Sequence, residues 1–208
     1  MKLYQFAATP SCRKVRMFLE EKGIVVPTID ANDGMALADW YCELYPHRMT
    51  PMLELDDGTQ LGESVAICRY FETLHPDPPL MGTDAKDRAL VEMWERRAYL
   101  EGAAAIEEIF RNSHPICVGR GLQGTAERVD QIPVLVDRGR ARLRRFYDKL
   151  ERQLDGNRHV VGERFSIADI TTLVSIDFGR WCQLDIPAAC INVQRWYSDV
   201  AARPSAAA

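Results

Sequence analysis

The sequence contains no C-x-x-C pair, no P-loop and no apolar run near the ~20 residues that cross a bilayer. Its six cysteines, at positions 12, 42, 68, 117, 182 and 190, have no histidine at zinc-ligand spacing, so no metal site is expected. Basic excess is missing too. The 26 Lys and Arg against 30 Asp and Glu leave a net charge of −4, without the electrostatic footprint that nucleic acid or an anionic membrane surface requires. The opening Met1–Ala8 is interrupted by Gln5 and followed at once by Thr9-Pro10-Ser11-Cys12-Arg13-Lys14, too short a stretch for a secretory leader. Compositional bias is absent as well: 47% hydrophobic and 27% charged residues, with 13 Gly and 11 Pro, exclude disorder, collagen and coiled-coil rods. The expected setting is a reducing, cytoplasmic compartment in which most cysteines serve as small buried residues.

What remains is a chain of 208 residues, enough for one large domain or two small ones. Residues 2–7 read as a strand, and Cys12 to Lys22 as a helix ending at Gly23. Ile24 to Ile29 is a second β-branched run, and Leu37 to Leu44 carries a helical pattern that stops before Pro46. Pro51–Leu55 and Thr59–Leu61 flank Asp56-Asp57-Gly58 and predict a hairpin, after which Glu63-Ser64 opens a helix closed by His75-Pro76. The order β-α-β-α-β-β-α over residues 1–78 is that of a thioredoxin-like domain. Pro76-Asp77-Pro78-Pro79 then separates it from residues 85–208, where only helical patterns occur.

In that second, all-helical domain, Leu90, Val91 and Trp94 begin one long helix, and Val129 to Leu154 reads as another, interrupted by Pro133. Gly119 to Gly124 reads as a mobile loop between them. Ser166-Ile167-Ala168-Asp169 is a capping box that starts a further helix, with Phe165 placed to staple it to Ile170, and Ala188 to Ala202 is the last. Arg138, Arg142 and Arg145 read as a solvated face with acidic partners. Met17, Met35 and Met93 read as packing residues.

The chemistry concentrates in three short segments. Thr9-Pro10-Ser11-Cys12 delivers a strand into a helix N-terminus, where unpaired N–H groups and the helix dipole favour an anion such as a thiolate. Lowering a thiol from about 8.5 to near 6.5 takes ~2.7 kcal/mol, within reach of the dipole (~2) and a hydroxyl donated to the charge (~1.5–3). The plainer reading of Ser11 is a helix cap, and that of Cys12 a small residue packed beneath the turn. Thr50-Pro51 precedes a strand, where a cis bond would turn main-chain groups outward to pair with an extended peptide. Glu63-Ser64 at a helix start can hold an α-amino acid head group, Ser64 taking the carboxylate and Glu63 the ammonium.

Together these segments resemble the glutathione transferase family across the full chain. The matching stretches are Met1–Tyr4, Thr9–Val15, Arg48-Met49-Thr50-Pro51-Met52-Leu53, Leu55–Gly58, Gly62–Ile67 and Phe165–Ile170, the last resembling the folding box of the family's helical domain. The resemblance implies a glutathione site in which the loop before Pro51 pairs with the cysteinyl backbone and Glu63 and Ser64 hold the γ-glutamyl head. For the sulfur it leaves Thr9, Ser11 and Cys12 open. Thr9 matches the position used by serine-type and omega-like classes, and Ser11 aligns with the cysteine of the beta class. The Thr-Pro-x turn also resembles nu-type bacterial proteins. Met49 departs from the Gln, Lys or Arg often found there, which moves a glycine-carboxylate contact to His47 or Arg48.

The implied function is a homodimeric glutathione transferase, with glutathione as co-substrate and a small, mostly apolar electrophile as partner. Two other functions compete with it. One is glutathione-dependent disulfide reduction; the other is a non-catalytic protein-binding module of the same fold. Neither a dehydrogenase nor a kinase is expected, since no P-loop occurs and no glycine fingerprint stands in a strand-to-helix turn.

Overall fold

The computed structural model describes residues 1–34 and 36–208, so the packing expected of Met35 lies outside the described residues. The chain divides into two units: Met1–Pro78 with Leu122–Glu127 and Ala208, and Pro79–Gly121 with Arg128–Ala207.

In the first unit β1 (Lys2–Gln5) leads into α1 (Pro10–Glu21). Proline stands at the helix start, where its missing N–H costs no hydrogen bond. The buried face of α1 is Cys12, Val15, Met17, Phe18 and Leu19. The next strand is β2 (Thr28–Asp30), shorter than the Ile24–Ile29 run suggests. The ladder beside Leu3 opens with Leu3 N–H donating to Pro27 O, and Pro27 has no N–H of its own to continue it. A small hairpin, β3 (Asn32–Asp33) and β4 (Ala36–Leu37), was not expected. Then follow α2 (Asp39–Leu44), β5 (Met52–Glu54), β6 (Gln60–Leu61) and α3 (Ser64–Leu74).

The main sheet has the order β2-β1-β5-β6, with β2 parallel to β1 and β5 and β6 antiparallel to their neighbours. This is the mixed, thioredoxin-like sheet, followed by an all-helical domain.

The second unit is helical. Here α4 (Ala85–Arg97), a π-helical stretch (Ala98–Ala103) and α5 (Ala104–Ser113) run on without a break, followed by α6 (Val134–Gln153), α7 (Ile167–Trp181) and α8 (Ile191–Ala201). Asp84 caps the first of these by accepting from Asp87 N at 2.9 Å. Helix α6 begins after Pro133 rather than near Val129, because proline is tolerated only where no i−4 bond is needed. Close packing against α5 is set by Gly139, where a Cβ would stand 2.7 Å from Ile109 Cγ1 and 2.9 Å from Ala105 O. Arg138 and Arg142 meet Glu108 at 2.8 and 3.3 Å.

Helix α7 is the centre of this unit, with residues 167–176 all buried. Its capping box is present, Ser166 accepting from Ala168 N and Asp169 from Ser166 N. Asp169, fully buried, also accepts from Val160 N at 2.9 Å and from Trp196 Nε1 at 2.8 Å. Phe165 lies edge-on to His159 and under the Arg203 guanidinium.

The Gly119–Gly124 stretch is more ordered at its base than a mobile loop. Gly121 N–H donates to Val129 O at 2.8 Å, and Val129 N–H to Gly119 O at 3.1 Å. Its spacing is also G-x-G-x-x-G, but a 3₁₀ turn at Pro115–Cys117 precedes it and no helix begins before Val134. A dinucleotide fingerprint needs a strand before and a helix after, so this one has no mechanism. Among the described residues no helix is long and apolar enough to cross a membrane, and no cluster of three metal-ligating side chains occurs.

Candidate functional site

Strand register brings the three sequence segments to one end of the main sheet. Tyr4 pairs with Met52 and Leu53 with Leu61, so the C-terminal end of β1, the start of β5 and the end of β6 lie side by side. The Phe6–Ser11 turn, the His47–Pro51 loop and the Gly62–Ser64 turn therefore share that edge. The helices that follow the outer two, α1 and α3, both begin there. Their unpaired N–H groups and dipoles favour anionic groups at this edge.

In the first turn Thr9 is the helix N-cap, with extended backbone (φ −85°, ψ 140°). Its hydroxyl donates to Phe6 O at 3.0 Å. A hydroxyl has one proton, and both Phe6 O and the Cys12 sulfur beneath the turn lie within its reach, so Thr9 is engaged inside the protein. Ser11 is not the cap that its residue type suggests. It lies inside the first turn, half-buried, and its hydroxyl makes no hydrogen bond among the described residues. Cys12 is fully buried beneath the turn. Burial pushes its thiol up, against hydrogen bonds from the Thr9 and Thr50 side chains and the Phe6 backbone and the charge of Arg16. Tyr4 is occupied elsewhere: its hydroxyl donates to Glu54 Oε2 at 2.9 Å.

The second segment is held from below. Tyr41, fully buried, donates its hydroxyl to Met49 O at 2.6 Å, and the Thr50–Pro51 bond is cis. Arg48 has φ 53°, a left-handed conformation, and its guanidinium has no ion pair among the described residues. Pro51 is buried, and Thr50, half-buried, reaches the Cys12 thiol with its side chain.

In the third segment Glu63, not Ser64, is the N-cap of α3, at φ 63° and ψ 118°. A non-glycine residue in that conformation costs of order 1–3 kcal/mol and marks a place where direction matters more than comfort. Here it turns an exposed carboxylate, with no ion pair among the described residues, outward at the site edge. Ser64 follows as the first helical residue, buried, its hydroxyl making no hydrogen bond among the described residues. Gly62 beside it leaves room for Tyr45, because a Cβ there would meet the Tyr45 hydroxyl and the ring would have to shift.

Tyr41 and Tyr45 were missed in the sequence because Tyr41 bonds the main chain 8 positions further on and Tyr45 packs beside Gly62, 17 positions further on, contacts without a local pattern. A separate cleft of about 400 Å³, lined by Trp94, Arg97, Glu101, Lys149, Arg152 and Gln153, contains none of the candidate residues. Within it Lys149 pairs with Glu101 at 2.6 Å, and Arg97 lies over Trp94.

Family models of the glutathione S-transferase N-terminal and C-terminal domains match residues 3–79 and 130–204. A solved glutathione S-transferase of class Gtt2 from Vibrio parahaemolyticus is 32% identical, with a TM-score of 0.82 over 99% of this chain and 94% of that one. The chain belongs to the glutathione S-transferase family. A glutathione S-transferase domain-containing protein from Marinobacter aquaeolei is 30% identical, with a TM-score of 0.87 over 99% of both chains. Glutathione S-transferase 2 of Saccharomyces cerevisiae is 28% identical over 99% of this transferase-family chain and 87% of its own length.

Proposed function

We propose that this glutathione S-transferase binds glutathione across the three turns at the sheet edge and uses Ser11 to stabilise its thiolate for attack on an electrophilic, mostly apolar second substrate. The observation that carries the assignment is the free Ser11 hydroxyl, half-buried in the first turn of α1, beside a Thr9 whose hydroxyl is engaged by Phe6 O and the Cys12 thiol. A donor aimed at developing charge on sulfur acts with the helix N-terminus, and both are in place before the substrate arrives.

Thr50 pairs its main chain with the cysteinyl residue, next to the cis Pro51. Glu63 takes the γ-glutamyl ammonium, and Ser64 its carboxylate at the start of α3. Arg48 takes the glycine carboxylate that Met49 cannot hold. Cys12 supports the turn from beneath, and its burial and raised thiol pKa speak against a redox role.

Conjugation then proceeds by nucleophilic attack of the bound thiolate, with the protein supplying orientation and charge stabilisation. Turnover of a model aryl halide without disulfide reduction supports this reading. Disulfide reduction without conjugation replaces it, and absence of glutathione binding in titration calorimetry turns the function toward a protein-binding module.

Glu63→Ala is expected to weaken glutathione about 10-fold or more, since it removes a charge-assisted bond worth ~1.5–3 kcal/mol. Equal affinity of variant and parent in calorimetry would reject the head-group assignment. We further propose a cytoplasmic homodimer. Sedimentation at working concentration is expected to give twice the 23.6 kDa chain mass, and a monomer ends that proposal.

A further inference from the structure

The connection between α5 and α6, residues 114–133, is longer than loops in compact domains usually are, and loops of that length generally have a task. Its base is fastened. Besides the Gly121–Val129 and Val129–Gly119 bonds, Gln131 Nε2 donates to Arg111 O at 2.9 Å and His114 O at 3.0 Å, and Ile132 N–H to Asn112 Oδ1 at 2.9 Å. The tip is organised differently: Leu122–Glu127 groups with Met1–Pro78, not with its own flanks.

At the tip Gly124 has φ 75°, and a methyl group built on it would stand 3.4 Å from His47 O and 3.5 Å from Met49 Sδ. The backbone of the tip therefore rests on the two residues that lead, through Arg48, into Thr50 and the cis Pro51. The seat is firm below, where Met49 O accepts from Tyr41, and adaptable above, because a thioether side chain is flexible and polarisable. Gly119 (φ 73°) and Gly124 (φ 75°) take the chain through left-handed conformations that other residues rarely adopt.

The geometry points to a lid: Leu122–Glu127 closes over the 47–51 loop when that loop holds glutathione, with Met49 as its seat. The inference rests on the glutathione reading of the same loop. It also gives Met49 a purpose in place of the polar contact it cannot make. A lid of this kind slows departure of the bound thiol more than its arrival, as expected when affinity is set by dissociation.

Hydrogen exchange of the full chain, with and without saturating reduced glutathione, tests it. Amides of 47–50 and of 122–127 are both expected to slow about 5-fold or more, while 128–132, tied at the base, stay unchanged. Slowing at 47–50 without slowing at 122–127 overturns the lid and leaves the glutathione site standing. No slowing at either, with no calorimetric heat, overturns the site and the lid together. Met49→Ala is expected to raise the dissociation rate of glutathione about 10-fold with little change in association rate, read by stopped flow. An unchanged dissociation rate in a variant of parental melting temperature also overturns the lid.

Discussion

Asp169→Ala is expected to lower the melting temperature by about 10 °C or more, the largest stability loss of any single side-chain truncation we anticipate. The reason is the number of buried donors that converge on one carboxylate. Ser166 N at 3.0 Å, Val160 N at 2.9 Å and Trp196 Nε1 at 2.8 Å all donate to it, and the residue has no exposed surface. Truncation leaves three buried N–H groups without acceptors, at ~1–3 kcal/mol each. For a chain of this length each kcal/mol shifts the midpoint by ~2–4 °C.

The loss goes beyond a capping box. Val160 lies on the approach to α7 and Trp196 on α8, so Asp169 joins three segments at one point. Asp169→Asn retains one acceptor oxygen and the shape, and is expected to lose about half as much. Calorimetric scanning of both variants decides it. A drop below ~2 °C for the alanine variant would mean that ordered water replaces the carboxylate, and the network account would fail.

Ser11→Ala is expected to leave glutathione affinity nearly intact while raising the thiol pKa of the bound tripeptide by about 1–2 units, the equivalent of a hydrogen bond to a charged acceptor worth ~1.5–3 kcal/mol. The sign follows from which form the hydroxyl serves. A donated proton stabilises the thiolate and lowers its pKa, so removal raises it. Conjugation then falls about 10- to 100-fold at pH values below the parent's thiol pKa. The two rates converge as pH rises past the variant's pKa, where both thiols are ionised.

This pH dependence separates a donor from a packing residue, whose loss would lower the rate at every pH. Ser11→Thr, which keeps the hydroxyl, is expected to restore much of the low-pH rate. Ultraviolet titration of the bound thiolate reads the shift directly. An unchanged pKa in Ser11→Ala would transfer the role to Thr9, whose proton would then have to leave Phe6 O, or to the backbone N–H groups at the helix start.

Local pattern was enough for the elements whose physics is local. The Asp57-Gly58 hairpin, the helix that α1 became and the Ser166–Asp169 box each follow from turn chemistry, periodicity or capping within a few residues. The misjudged boundaries have equally particular causes. Proline at position 10 extends α1 backward, since it fits a first turn, and proline at 133 delays α6 for the same reason. Ser64 has the residue type of an N-cap, yet Glu63 takes that place, because its left-handed backbone is imposed by the turn between β6 and α3 and cannot be read from side-chain preference.

By itself the sequence determined the fold class and singled out three candidate segments, which the sheet register brings to one edge, because strands, caps and turns are specified by neighbours along the chain. It could not rank Thr9, Ser11 and Cys12. Successive residues of a helix start point in different directions, and which hydroxyl keeps its proton depends on where Phe6 presents its carbonyl. Only the tertiary structure showed the Thr9 hydroxyl engaged by Phe6 O, the burial of Cys12 beside Thr50 and the seating of Gly124 on Met49, 75 residues away in the chain. Contacts across such separations follow from sheet register and loop path, and leave no mark on the periodicity of either segment.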